Sequence, residues 1–144
     1  MITDLEKEKE LSLDGYTPTN TEEFMNPTMK AYFRKKLLVW REELSGEYAK
    51  AVTRLQEHSS KESDPNDRAS LEVDRNFIIR TMDREQKLIN KIDEALDKIE
   101  QGTYGYCDHT GEPIDVARLE ARPVATLSID AQEKLERIEK VHRE

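Results

Sequence analysis

Apolar residues recur along the first half of the chain at helical spacing. From Phe33 they fall at Leu37, Trp40, Leu44, Tyr48, Ala51 and Leu55, with gaps of three or four, which predicts one continuous amphipathic helix. The mean gap suits a straight or weakly right-handed helix better than a left-handed heptad seam. Asn26-Pro27 predicts the start, because Asn can accept from free backbone N–H groups and Pro has its φ preset for the first helical position. Gly46 lies inside the stripe at a cost of about 1 kcal/mol relative to Ala.

Polar residues accumulate from Gln56 through Asp67, and Asp64-Pro65 predicts the end of helical geometry, since the residue before Pro is disfavoured in the α region. A second stripe runs through Leu71, Ile78, Met82, Ile89, Ile92, Leu96 and Ile99, where every gap is three, four or seven. Two helices of about 30 residues, each about 45 Å long and joined by a short connection, predict an antiparallel hairpin with its tip at residues 62–70. Gly102 suits a left-handed C-terminal cap, and Gly105 and Gly111 predict tight turns in a compact non-helical lobe. Ser128 can cap a last helix from Ile129, along which Asp130 with Lys134, Glu133 with Arg137, Glu136 with Lys140 and Glu139 with Arg143 stand at i,i+4. Residues 1 to about 20 show no sustained period and read as a mobile or loosely docked arm.

Composition narrows the picture. Charged residues make up 38% of the 144 and hydrophobic residues 35%, which suits long exposed helices with a narrow apolar stripe. A net charge of −8 with no block of consecutive Lys and Arg argues against direct DNA binding. The run Leu37-Leu38-Val39-Trp40 is far short of the roughly 20 apolar residues of a membrane helix, and the charged N-terminus is unlike a signal, so a soluble cytoplasmic protein is expected. A single cysteine excludes an intrachain disulfide and a tetrathiolate metal site.

That cysteine sits in a telling context. Gly105-Tyr106-Cys107-Asp108-His109-Thr110-Gly111 has the spacing of a zinc knuckle with Cys107 and Thr110 in the ligand places, and Ser128-Ile129-Asp130-Ala131 repeats the spacing downstream. Neutral hydroxyls are poor zinc ligands and Ala131 is none, so a metal would need His109, Asp108 or Asp130 as substitutes. No metal and no cofactor are expected. The Thr110 and Ser128 hydroxyls are expected to satisfy backbone groups or each other, with Ala131 filling volume. Cys107 reads as a buried structural thiol; a redox sensor is the alternative, though no resolving cysteine accompanies it. The chain is not expected to be an enzyme, because His58, His109 and His142 lie in dissimilar contexts and no nucleophile triad or phosphate-cradling glycine pattern is present.

The fold expected is mostly α. An N-terminal arm covers residues 1–25, a long antiparallel helical hairpin or coiled coil covers 26–101, and a small degenerate zinc-finger-like lobe with a C-terminal helix covers 102–144.

Five stretches resemble the DksA family of RNA polymerase regulators: Glu22-Glu23-Phe24-Met25-Asn26, Asp64-Pro65-Asn66-Asp67-Arg68-Ala69, Asp83-Arg84-Glu85, Tyr104-Gly105-Tyr106-Cys107 and Arg118-Leu119-Glu120-Ala121-Arg122-Pro123. They occur in order across about residues 22–140. The resemblance implies a monomer that inserts its hairpin into the secondary channel of bacterial RNA polymerase. There its tip would destabilise open complexes at ribosomal RNA promoters together with the stringent-response alarmone ppGpp, without zinc here. The family's tip acids fall on Asp64 and Asp67 and its tip alanine on Ala69, a polymerase contact falls on Arg84, and its ppGpp positions fall on Leu88, Lys91, Arg122 and Gln132. Gln132 stands where relatives carry Lys, which removes one cation. Without the family, Asp64-Pro65 is a turn signal, Asp67 a helix cap, Lys91 a solvated charge and Arg122 an anchor beside Pro123. The alternatives are a Gre-like transcript-cleavage factor and a non-catalytic helical adaptor.

Overall fold

A computed structural model of the chain describes residues 13, 15–59 and 65–143, without the side chains at 59 and 65–68. The described residues form α1 (Pro27–Ser59), α2 (Pro65–Gln101), α3 (Val116–Ala121) and α4 (Ile129–Arg143), with an isolated antiparallel bridge between Tyr106 and Pro113. The mostly helical fold is as expected, and among the described residues no helix is long and apolar enough to cross a membrane.

α1 starts where Asn26-Pro27 predicts. Asn26 Oδ1 accepts from the Met29 N–H at 2.9 Å and its carbonyl accepts from Lys30 at 3.0 Å. α2 begins at Pro65, so that proline opens a helix by the same mechanism and does not merely interrupt one. The backbone of Asp67 therefore lies in the first turn of α2, correcting its reading as the cap, and residues 65–70 of the expected tip are helical.

The chain packs into two compact units, one of Leu38–Asp93 and one of the remainder on both sides. Both boundaries cut through a helix and depart from the expected divisions at 25 and 101, because the first turns of α1 and the last of α2 bury their apolar faces with the lobe. In that lobe unit Met29, Phe33, Leu37, Ile114 and Leu119 are fully buried. Phe33 packs on Tyr104 with ring centroids 5.7 Å apart, and Arg34 reaches Glu100 at 3.6 Å. Residues 15–26 are docked, which corrects the arm reading for that stretch: Pro18 is buried, the Tyr16 hydroxyl donates to Glu22 Oε1 at 2.9 Å and Thr19 N–H to Glu22 Oε2 at 2.8 Å. Residues 1–12 and 14 of the expected arm lie outside the described residues.

The lobe also holds a helix that periodicity did not predict. α3 is six residues long, too short for a repeating stripe, but Asp115 caps it by accepting from Ala117 N–H at 2.9 Å while Val116 and Leu119 are buried. α4 starts after Ser128 as expected and buries no residue. Its four expected i,i+4 ion pairs do not close; Gln132 Nε2 donates to Glu136 Oε1 at 3.0 Å and Arg137 Nε to the Glu133 carbonyl at 3.5 Å. Such exposed pairs gain little and leave long side chains solvated.

In the other unit the helices pair antiparallel. Arg41 Nε meets Asp93 Oδ1 at 2.7 Å, and Leu44, Ala51, Ile78, Ile89 and Ile92 are buried between them. Trp40, Tyr48 and Leu55 of the predicted stripe are half-buried.

Candidate functional site

The lobe is built by backbone hydrogen bonds. After Gly102, at φ 80°, the N–H groups of Thr103 and Tyr104 return to the Lys98 carbonyl at 2.9 and 3.2 Å and close α2. The buried Tyr104 hydroxyl donates to the Pro123 carbonyl at 2.7 Å, and burial pushes its pKa up. Gly105 is required by conformation and by space: its φ is 88°, and a Cβ would stand 2.9 Å from Met25 Cε and 3.0 Å from Phe24 Cζ. The segments around Phe24 and Gly105, two of the family-like stretches, are therefore held against each other, with Phe24 and Tyr106 rings edge to face at 5.2 Å.

Around Cys107 the loops are tied by backbone hydrogen bonds. Cys107 N–H donates to the Glu112 carbonyl at 2.8 Å, Gly111 N–H to the Cys107 carbonyl at 2.8 Å, and Asp108 N–H to the Thr126 carbonyl at 2.8 Å. Burial pushes the Cys107 thiol up, but hydrogen bonds from the Thr110 hydroxyl and from the backbone of Ser128, Thr110 and His109 outweigh it and bring its pKa to about 6. The Thr110 hydroxyl also accepts from Glu112 N–H at 3.3 Å, and the Ser128 hydroxyl from Ala131 N–H at 3.2 Å. Both hydroxyls thus serve turns and a helix cap.

These donors do not fit a tetrahedral zinc ion. One thiol, two engaged neutral hydroxyls and a methyl group occupy the four places, and among the described residues no group of three or more His, Cys, Asp or Glu is placed to hold a metal. Asp108, His109 and Asp130 are exposed and form no substitute set.

The Arg118 to Pro123 stretch has its own anchors. Arg118 Nε donates to the Leu127 carbonyl at 2.8 Å, and Glu120 accepts from the Tyr32 hydroxyl and from Lys36 Nζ. Burial would raise the Glu120 carboxyl, but those donors, led by Lys36, hold its pKa below the ordinary value. Burial and the Glu120 partner push the Tyr32 hydroxyl up to about 12. The Arg122 side chain is exposed, and its backbone N–H ends α3 on the Arg118 carbonyl at 2.8 Å.

The other expected functional positions are distributed as follows. Asp64 lies outside the described residues, as does the side chain of Asp67, while Ala69 is exposed near the start of α2. Arg84 and Lys91 are exposed and Leu88 half-buried on α2 of the hairpin unit. Arg122 and Gln132 belong to the lobe unit, with Gln132 half-buried. Sequence reasoning named Glu85 within a family-like stretch but missed its burial; it is the one buried charged side chain among the described residues. It sits in the seven-residue gap between Met82 and Ile89, where an interrupted stripe was the available signal.

These features define a class: a helical-hairpin protein with a zinc-finger-like lobe that lacks a metal donor set. The family described as DnaK suppressor protein DksA, N-terminal domain, matches residues 29–99, and the prokaryotic dksA/traR C4-type zinc finger matches residues 102–137. RNA polymerase-binding transcription factor DksA of Caulobacter vibrioides (strain NA1000 / CB15N) is 53% identical over 129 residues, which cover 90% of this chain and 91% of that one. Its counterpart in Escherichia coli (strain K12) is 41% identical over 83% of this chain and 80% of its own. The solved structure of transcription factor DksA2 from Pseudomonas aeruginosa superposes with a TM-score of 0.78 at 38% identity, covering 83% of this chain and 94% of that one. The chain belongs to the DksA family.

Proposed function

We infer that this protein binds bacterial RNA polymerase and regulates transcription initiation, acting at ribosomal RNA promoters with ppGpp and without zinc. The observation that carries the reading is the 53% identity across 90% of the chain to a factor named for polymerase binding. The hairpin would enter the secondary channel, bringing Asp64, Asp67 and Ala69 near the catalytic centre, where carboxylates perturb charge by their field without doing chemistry. Arg84 would contact polymerase. Lys91 and Arg122 are the two cations suited to ppGpp phosphates, and Leu88 and Gln132 are the other positions that the family resemblance assigns to ppGpp. A net charge of −8 supports a protein partner over duplex DNA, and a monomer in the cytoplasm suits the task. Zinc independence is supported by the donor set, in which backbone hydrogen bonds tie the knuckle.

The test is transcription in vitro from a ribosomal promoter with purified polymerase, with and without ppGpp, beside a cleavage assay on stalled complexes. The expected result is inhibition that deepens with ppGpp and no stimulated cleavage. Stimulated cleavage with an unaffected promoter would establish a Gre-like factor instead. Inhibition that survives Asp64→Asn with Asp67→Asn would reduce the tip to a turn and favour the adaptor.

A further inference from the structure

Ile78, Glu85 and Ile92 follow one another at seven-residue intervals on α2, and all three are buried. The middle place of this apolar seam holds a carboxyl that is 7% exposed, and its Oε2 is buried without a hydrogen-bond partner. A second carboxyl, that of Glu47 on α1, acts on it as a like charge. Arg84 from α2 and Arg54 from α1 act on Glu85 in the opposite sense to Glu47. An ionised carboxylate is an acceptor only, so an oxygen buried without a donor favours the protonated form. Burial first, then the charge of Glu47, raise the proton affinity of Glu85 against both arginines.

We propose that Glu85 is held protonated in the seam, making the α1–α2 pairing of the hairpin unit tighter in acid and looser in alkali. Loss of that proton leaves a charge in the seam facing a like charge, with Oε2 still lacking a donor. Glu85 binds its proton more tightly in the folded than in the unfolded chain. The stabilisation is therefore complete below the ordinary glutamate value of 4.5 and is lost as pH rises through the folded-state value. A polar group at a seam position commonly fixes register at a cost in stability; here that cost varies with pH.

The experiment uses the full chain and reads the fold, independently of any activity. Carbon-detected NMR follows each glutamate carboxyl through a pH titration, and thermal unfolding is measured over the same range for the wild type, Glu85→Gln and Glu47→Gln. One carboxyl should titrate above the rest, vanish in Glu85→Gln and move down in Glu47→Gln. Glu85→Gln, neutral throughout, should melt several degrees above the wild type near about pH 8, with the gap closing toward about pH 4.5. A Glu85 carboxyl that titrates in the ordinary range overturns the proposal, as does a melting gap that ignores pH. Should Glu85→Gln fail to fold, the wild-type midpoint and its movement in Glu47→Gln decide alone.

Discussion

Lys36 of α1 donates to Glu120 of α3 twice, to Oε1 at 2.8 Å and to the backbone carbonyl at 2.7 Å. The same carboxylate takes the Tyr32 hydroxyl, so one residue of the Arg118 to Pro123 stretch is held by two side chains a helical turn apart. The anchor fixes the short helix whose end carries Arg122.

Replacing Glu120 by Gln removes the charge from this set. At neutral pH the protein should lose about 1 kcal/mol, below the usual range for charge-assisted hydrogen bonds, because about a third of each side chain is exposed to screening solvent (34% for Lys36 and 36% for Glu120). The folded-state carboxyl titrates below 4.5, so its contribution is present above that value and is lost as pH falls through the lower folded value. Thermal unfolding of Glu120→Gln and wild type should therefore differ at neutral pH and converge in acid.

Two glycines should respond in opposite directions. Gly105→Ala places a methyl group 2.9 Å from Met25 Cε at a φ of 88°, and should cost about 2 kcal/mol or more. Gly46→Ala meets nothing within 4 Å inside α1 and should stabilise by about 0.5 to 1 kcal/mol. Urea midpoints of the two variants at a fixed pH check both.

Cys107 should titrate as a thiolate with a midpoint of about 6, read from thiolate absorbance in the folded protein. Its depressed pKa adds stability that is present above the unfolded value near 9 and is lost as pH falls through about 6. Because the residue is 2% exposed, alkylation should be slow in the folded state and accelerate in urea. A chelator should leave the melting temperature unchanged.

Gln132→Lys restores a cation near the start of α4, where Gln132 now donates to Glu136. Half-maximal inhibition of a ribosomal promoter should then need about threefold less ppGpp, the effect of one partly exposed phosphate contact. Dose–response transcription with the variant measures it.

Much of this fold was legible before any coordinates. Asn26-Pro27, Gly102 and Ser128 set helix ends through local backbone chemistry, and Phe33, Leu37 and Leu44 mark the buried stripe. Pro65 was misread because proline both ends and begins helices, and the local sequence does not choose between them. α3 is too short to show a period, and Glu120 gains its partners from residues 84 to 88 positions away. Glu85 was hidden for a different reason: the gap between Met82 and Ile89 marks a missing stripe position, but a carboxyl there reads as solvated until α1 is seen to cover it.

The central claim meets its most direct test in the lifetime of open complexes on a ribosomal promoter, measured with chelator-treated protein. The account predicts several-fold shortening by the wild type, deeper with ppGpp, and none by the Asp64→Asn, Asp67→Asn double variant. An unchanged lifetime with wild type, or shortening that disappears on chelation and returns with zinc, would contradict it.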